Sequence, residues 1–415
     1  MKRKSLFRNV IVSGVTLILI SAIIYSCKKS TRIMNPNADS NTFFTAVKAT
    51  TPLAFEAGAY EVQLAFKDDK GKGAIPSVFE LNMPDGKNFG VKITSKTKGF
   101  GDVDIYSGTV MDNLAKGPAS RMLNFTLIDD QQHESIFADF GINNVDYILS
   151  RKEGNVFRLS VLKPTKMDEN DDMPASENEK AAASKLAVAG GEQCNGVYII
   201  DLFVGYSTAA VSSIGSANLT AYANNMVTSV NNGLANSLVD NVRLRLVGTG
   251  ITSNNPGVVT SVLHDGPTWF ASGLSSSGAD LLCVVQQPTH APGSALGWGS
   301  KPGWVAVAGA NMTSVYRHEV GHNAGSGHCD KGITPYAAGY DNGHWKTHMC
   351  GNKVNYYSNP DVQDDQGNPI GDPNTANNAR LWRERAAIMS GRVAHVKPFT
   401  DCQSDRMKSG ANAFH

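Results

Sequence analysis

The chain has 415 residues, enough to bury two hydrophobic cores if each domain takes about 150 residues. Its 38 basic and 37 acidic residues nearly cancel and are not segregated along the second half, which excludes the basic footprint of a nucleic-acid-binding protein. Charged residues make up only 18% of the chain and glycines number 40, a composition that favours a loop-rich exported protein.

The N terminus has the pattern of an export signal. Basic residues at positions 2, 3, 4 and 8 precede an apolar run from Val10 to Tyr25, which Ser26 and Cys27 follow. The run is shorter than the roughly 20 residues of a membrane-spanning helix. Its end resembles the cleavage box of bacterial lipoproteins, which implies a signal peptide over 1–27 and a lipid anchor on Cys27 in the outer membrane, or a surface or secreted protein after processing. An uncleaved signal anchor is the alternative.

Residues 28–163 are predicted to form an all-β domain. Apolar and polar residues alternate along several short segments, as in strands that bury one face. Two such segments, around Phe79 and Phe89, flank a Pro-Asp-Gly turn at 84–86 and predict a hairpin.

Residues 164–192 lose this alternation. Acidic residues crowd the stretch from Asp168 to Glu179, and an Ala-, Ser- and Gly-rich stretch with few large apolar side chains follows. We interpret the segment as an acidic, flexible linker. Exposed segments of this composition are readily cut by proteases, so both a processing site and a plain spacer stay open as interpretations.

The second domain is predicted over 193–398, followed by a C-terminal tail over 399–415. Its elements are a buried strand, a helix, an alternating strand and two buried strands, in this order: Val197–Val204, Leu219–Leu234, Val242–Leu246, Ala279–Val285 and Trp304–Ala308. This order favours an α/β sheet with a helix packed behind it.

A histidine-rich segment follows the last of these strands. From residue 318 it reads HEVGHNAGSGH, which fits H-E-x-x-H-x-x-G-x-x-H at every fixed position. Residues four apart lie on one face of a helix, so His318 and His322 can bind one metal ion. Glu319 then lies beside the metal without being a ligand, where it can act as general base.

The end of the segment supplies a third ligand. Gly325 can adopt the left-handed conformation that ends a helix, which turns the chain back and brings His328 to the metal. Three protein ligands leave one position open for water, as in catalytic zinc sites. The spacing therefore predicts a catalytic Zn²⁺ site.

The segment resembles the zinc site of the metzincin endopeptidases, and residues 347–350 (Thr-His-Met-Cys) resemble their Met-turn. The resemblance implies that Met349 forms an apolar floor beneath the metal. Looser similarity to bacterial reprolysin-like peptidases covers roughly residues 195–395, and residues 28–163 resemble the β-rich propeptide of such enzymes in pattern alone. Cys329 stands at the position that distinguishes metzincin subfamilies, so the subfamily stays open.

The fold class implied by the resemblance is an α/β metzincin catalytic domain, with a twisted mixed sheet and an active-site helix, behind an all-β N-terminal domain. The implied function is zinc-dependent cleavage of protein or peptide substrates. We expect the edge strand near Trp304–Ala308 to hold an extended substrate. Two alternatives are a zinc-retaining adhesion or binding lipoprotein without turnover and a zinc hydrolase whose substrate is not a peptide.

Five cysteines follow the predicted signal peptide, all from Cys194 onward. An exported chain can keep disulfides. We favour Cys329 with Cys350, because they bracket a loop of about 20 residues whose closure would contribute roughly 3 kcal/mol. The partners of Cys194, Cys283 and Cys402 stay open.

The composition break at 164–192 suggests that the β domain restrains the catalytic domain until the linker is cut. An aspartate that binds the metal keeps astacins latent, and Phe100-Gly101-Asp102 resembles that pattern but misses its spacing by one residue.

Overall fold

The computed structural model describes residues 42–65, 74–111, 123–133, 135–142, 145–163, 171–174, 193–289, 294–329 and 335–396. The predicted signal peptide with Cys27 and the tail with Cys402 lie outside the described residues, so the lipid anchor stays a prediction. Among the residues that are described, no helix is both long and apolar enough to span a bilayer. The described residues, which begin at Thr42, pack as one compact unit.

The first half of the chain forms a nine-stranded antiparallel sheet. In chain order its strands are β1 (Phe44–Ala49), β2 (Glu56–Leu64), β3 (Val78–Asn82), β4 (Asn88–Lys98), β5 (Asp104–Met111), β6 (Leu123–Asp130), β7 (Ser135–Ile142), β8 (Val145–Glu153) and β9 (Val156–Leu162). They pair in the order β1-β2-β9-β8-β7-β6-β5-β4-β3. The predicted hairpin is confirmed, because β3 pairs with β4 and Gly86 adopts φ +81° in the turn between them.

A second sheet lies in the rest of the chain. Its strands are β10 (Asp172–Pro174), β11 (Gln193–Cys194), β12 (Val197–Ser207), β13 (Val242–Thr252), β14 (Leu281–Gln286), β15 (Gly297–Lys301) and β16 (Val305–Gly309). They pair in the order β10-β15-β16-β14-β12, with β11 and β13 both on β12. A separate pair consists of β17 (Asn359–Gln363) and β18 (Pro369–Ile370).

The placement of Trp304–Ala308 at the sheet edge is wrong. Strand β16, which covers this segment, lies between β14 and β15 and is fully buried. Strand β15 lies outside it and carries β10 on its other side. The sequence of β15 reads Gly-Trp-Gly-Ser-Lys, which lacks both an apolar run and a regular alternation, so its pattern does not predict a strand.

The helices of the described chain all follow β12. They are α1 (Thr208–Ile214), α2 (Leu219–Asn236), α3 (Ser261–Trp269), α4 (Ala271–Ser277), α5 (Thr313–Asn323) and α6 (Asn378–Ser390). The helical periodicity from Leu219 to Leu234 is confirmed by α2, whose apolar side chains are buried. Helix α5 carries the first two motif histidines, and most of its side chains are buried as well.

The predicted fold class, an α/β metzincin domain with a twisted mixed sheet behind an all-β domain, is wrong. The described residues are mostly β, with 42% in strands against 23% in helices, and the nine-stranded sheet is their largest element. The prediction gave too much weight to the half that carries the motif. Helices such as α1 and α4 are only 7 residues long, because Ser and Gly interrupt them, and they contribute little to the total.

One large apolar core joins the two halves of the described chain. Ile128 and Phe137, on β6 and β7, belong to the same buried cluster as Tyr222 and Met226 of α2. Helix α5 enters this cluster through Val315 and its neighbours. The helix that bears the motif therefore packs on the second sheet and on α2, and α2 in turn packs on the nine-stranded sheet.

Candidate metal centre

The three motif histidines meet in one buried cluster. His318 and His322 stand one turn apart on α5, and their Nε2 atoms are 3.2 Å from each other. The chain leaves the helix through Gly325, which adopts φ +101°, and returns so that His328 Nε2 lies 3.1 Å from His318 Nε2. All three side chains are less than a tenth exposed.

Backbone carbonyls orient two of these rings. His318 Nδ1 lies 2.7 Å from the carbonyl oxygen of His348, and His322 Nδ1 lies 2.8 Å from that of Ser326. A carbonyl accepts but cannot donate, so Nδ1 of each ring carries the proton and Nε2 offers a lone pair. Second-sphere bonds of this kind fix the tautomer of metal-binding histidines.

The spacing of the nitrogen atoms fits a metal ion. Tetrahedral donors at metal–nitrogen distances of about 2.0–2.1 Å lie about 3.3 Å from one another, close to the 3.1 and 3.2 Å found here. Lone pairs that face each other in a buried space repel unless a cation lies between them. The donor set therefore fits a bound metal.

A fourth donor comes from Asp171, in the segment interpreted from sequence as a linker. Its Oδ1 lies 2.8 Å from His328 Nε2 and 3.1 Å from His322 Nε2, and its Oδ2 lies 3.5 Å from His318 Nε2. Asp171 is buried with the histidines, and together these side chains can hold a metal ion. The segment interpreted as a linker therefore contributes a side chain to the candidate metal site.

The carboxylates of the site have opposite electrostatic environments. Burial alone would raise the pKa of Asp171, but His318, His322 and His328 outweigh it and hold this pKa far below its usual range. Burial raises the pKa of Glu319 well above its usual range, and Asp171 and Asp172 raise it further. Burial also lowers the pKa of His322 to about 4, although Asp171 opposes this.

Glu319 is fully buried beside the histidines, and neither of its carboxylate oxygens has a hydrogen-bond partner among the described residues. It packs against β15, where a Cβ on Gly297 would lie 2.2 Å from Glu319 Oε1. A buried carboxylate without a partner is costly and marks a place where another group is bound during function.

Met349 packs tightly against the helix that carries the first two histidines. Met349 is buried, and a Cβ on Gly321 would lie 2.2 Å from its sulfur atom, so any larger residue there would have to displace the Met349 side chain. Cys329 and Cys350 form a disulfide with Cα atoms 4.9 Å apart, which links the residue after His328 to the residue after Met349. Cys194 is also disulfide-bonded, whereas Cys283 is free and buried.

The strand next to Asp171 covers the edge of the second sheet. Strand β10 runs parallel to β15, with Asp172 opposite Gly299, and Gly299 N donates to the carbonyl of Asp171 at 3.0 Å. Asp172 forms an ion pair with Lys301. The outer edge of β15 is therefore covered by the chain itself.

Sequence spacing missed Asp171 because it is one of several acidic residues in a segment without periodicity. The alternative considered from sequence, Asp102, is 89% exposed and pairs with Lys98. The only sequence feature that could have indicated Asp171 is the run of carboxylates in which it lies. Sequence alone cannot show that this run lies next to histidines that follow about 150 residues later.

The sequence matches no known protein family and no curated protein. Among solved structures, the chain is similar to one from a chaperone–substrate complex, with 17% identity and a TM-score of 0.43, over 62% of this chain and 39% of that chain. It is also similar to metalloproteinase-II from Bacteroides fragilis, with 11% identity and a TM-score of 0.41, over 68% of this chain and 88% of that chain. One structural neighbour is thus named a metalloproteinase, but likenesses this weak say nothing about the activity of this chain.

Proposed function

We propose that the protein is a zinc-dependent endopeptidase with a metzincin-type site. The observation that supports this most directly is the convergence of three histidine Nε2 atoms beside the unpartnered carboxylate of Glu319. Three histidines are a common ligand set of catalytic zinc. A carboxylate that lies next to such a set without joining it is placed to move protons.

The chemistry follows from the position of each group. Bound zinc would supply a Lewis acid that lowers the pKa of water and polarises a peptide carbonyl. Glu319 takes the proton of the attacking water and passes it to the leaving amine. The carbonyls of His348 and Ser326 keep the ligand rings in place, and β15 offers backbone groups to an extended peptide.

We further propose that the full-length chain is latent. With Asp171, the metal would have four protein ligands, the coordination typical of a closed structural site. Strand β10 also covers the backbone groups of β15. A substrate can reach the metal only after Asp171 and β10 have moved away.

The variant Asp171→Ala tests latency. We expect full-length D171A to cleave casein at least roughly tenfold faster than the wild type, because it loses charge-assisted contacts that hold the segment in the site. Asp102→Ala is the matched control, because Asp102 is exposed and pairs with Lys98 instead of with the histidines. The activity of D102A should equal that of the wild type. Equal activity of D171A and wild type would refute latency through this residue.

The variant Glu319→Gln tests the mechanism. In the D171A background it should retain zinc, measured by elemental analysis, while gelatin cleavage falls by about 10²–10⁴-fold because the base is lost. Glu384→Gln, on the surface of α6, is the control and should not alter cleavage. Unchanged proteolysis in E319Q would overturn the mechanism. A D171A protein that binds zinc but cleaves no protein would favour the binding lipoprotein.

A further inference from the structure

Lys301 ends strand β15 and points at the segment that covers the site. Its side chain is only 15% exposed, and its ammonium pairs with the carboxylate of Asp172, which is 25% exposed. Asp172 follows directly after Asp171, whose carboxylate lies on the three histidines. The ammonium of Lys301 therefore contacts the residue that directly follows Asp171, next to the proposed reaction centre.

This proximity matters for any peptide that replaces the segment. A peptide that pairs with β15 as β10 does would place one side chain at Lys301, and its neighbours, about 3.8 Å away along the backbone, would lie beside the histidines. The segment itself shows that an acidic side chain fits there, because Asp172 reaches Lys301 while its backbone pairs with β15.

Displacement of β10 leaves the ammonium of Lys301 without the carboxylate that pairs with it. A substrate carboxylate that binds in place of Asp172 would restore the ion pair, whereas a neutral or basic side chain would not.

We propose that Lys301 determines specificity and that the enzyme prefers peptides with an aspartate or glutamate within two residues of the scissile bond. This inference rests on the endopeptidase function proposed above. It adds a substrate class to that function and assigns a role to a residue outside the metal-binding motif.

The test uses full-length D171A and matched peptides that carry Asp, Asn or Lys at one position, scanned over two residues on each side of the cleaved bond. At one of these positions kcat/KM for Asp should exceed that for Asn by roughly tenfold. Lys301→Glu should reverse the order in favour of Lys, and Lys301→Met, which keeps the apolar stem, should remove the charge preference. Lys152→Glu makes the same change of net charge on the exposed face of the first sheet and should keep the Asp preference.

A second measurement does not depend on turnover. Binding of the same peptides to D171A/E319Q, followed by fluorescence polarisation, should show the same order and the same reversal by K301E. If D171A cleaves nothing, the endopeptidase function is refuted while binding still tests Lys301. If D171A cleaves peptides but shows no acidic preference, or keeps that preference in K301E or K301M, the role of Lys301 is refuted.

Discussion

Gly297 stands where β15 crosses the helix of the metal centre. A Cβ there would lie 2.2 Å from Glu319 Oε1 and 2.5 Å from Val315 Cγ1. Because the Glu319 oxygens have no hydrogen-bond partner among the described residues, packing alone holds this carboxylate in place. The absence of a side chain at position 297 therefore sets the position of the proposed base.

We predict that Gly297→Ala in the D171A background lowers kcat about a hundredfold, because the added methyl group displaces the carboxylate by an amount that catalysis does not tolerate. Zinc content and KM should change little. Gly58→Ala is the control, since a Cβ there would have no neighbour closer than 3.5 Å. Shortening the acid with Glu319→Asp relieves the contact of the methyl group with the carboxylate, so G297A should cost less in E319D than in the protein with Glu319. A normal kcat in G297A would show that packing does not position Glu319.

The sequence predicts the residues whose roles depend on local spacing. His318, His322 and Glu319 follow from the geometry of one helical turn, and His328 follows from the glycine that ends the helix. Asp171 reaches the same point through strand pairing between distant segments, which no local pattern reports. The contact of Gly297 with Glu319 depends in the same way on where β15 lies.

Several separate elements meet at a buried charged cluster beside the second sheet. Arg245 of β13 donates two hydrogen bonds of 2.7 Å to Asp201 of β12. Asp280, just before β14, accepts from the backbone N–H groups of Asp201 and Val393 at 2.8 and 3.2 Å. His395 Nε2 lies 3.3 Å from Asp280 Oδ2. The cluster ties the chain after α6 to the sheet.

We predict that this cluster makes stability depend on pH. Burial raises the pKa of Asp280 to about 6, although His395 opposes this, whereas an unfolded aspartate has a pKa of about 3.9. The folded chain thus binds this proton more tightly, so the contribution of Asp280 to stability is full below about pH 4 and is lost as the pH rises through 6. Asn does not titrate. The free energy of unfolding of wild type minus that of Asp280→Asn should therefore fall by about 1–3 kcal/mol between pH 4 and 8.

Urea denaturation of both proteins at each pH measures this difference. Asp265→Asn, on the exposed face of α3, is the control for the loss of one surface carboxylate, and the change seen with D280N should exceed the change seen with D265N. A constant difference for D280N would mean that Asp280 keeps its proton equally well in the folded and unfolded chain.

The elements themselves were predicted unevenly. Strands with regular alternation, such as those of the first sheet, and the amphipathic helix α2 follow from the sequence. Strands β10 and β15 do not, because one begins in an acidic stretch and ends in proline while the other contains two glycines. Both are stabilised by their neighbours in the sheet rather than by their own propensity.

The two halves of the molecule share a core and polar contacts. The rings of Phe137 and Tyr222 pack edge to face with centroids 5.4 Å apart. Asp139, also on β7, accepts hydrogen bonds from Asn225 of α2, at 3.2 Å, and from Thr313, the first residue of α5. The first sheet therefore reaches the start of the helix that bears the metal ligands.

We predict that Phe137→Ala destabilises the half that carries the site. Removing a buried phenylalanine costs about 3–5 kcal/mol. All five tryptophans follow residue 193, so their fluorescence reports unfolding of that half alone. F137A should lower the denaturation midpoint seen by tryptophan fluorescence, while Val78→Ala, at a 40% exposed position of the same sheet, should not. An unchanged fluorescence midpoint in F137A would mean that the halves unfold independently.

The fold class was mispredicted because the sequence pattern indicates local structure only. Periodicity within segments identified strands in the first half and a metal-binding helix in the second, but the balance of strand and helix depends on which distant segments pair. The described chain is mostly β because the nine-stranded sheet outweighs the short helices of the second half.

Asp171 is joined by the polypeptide both to the nine-stranded sheet and to the half that carries the histidines. While both connections are intact, it meets the metal centre as a tethered ligand, at an effective concentration of about millimolar. A single cut between residues 175 and 192 would turn this contact into an association of two chains, whose occupancy falls with dilution. The concentration of the protein would then decide what fraction of the cut molecules stays closed.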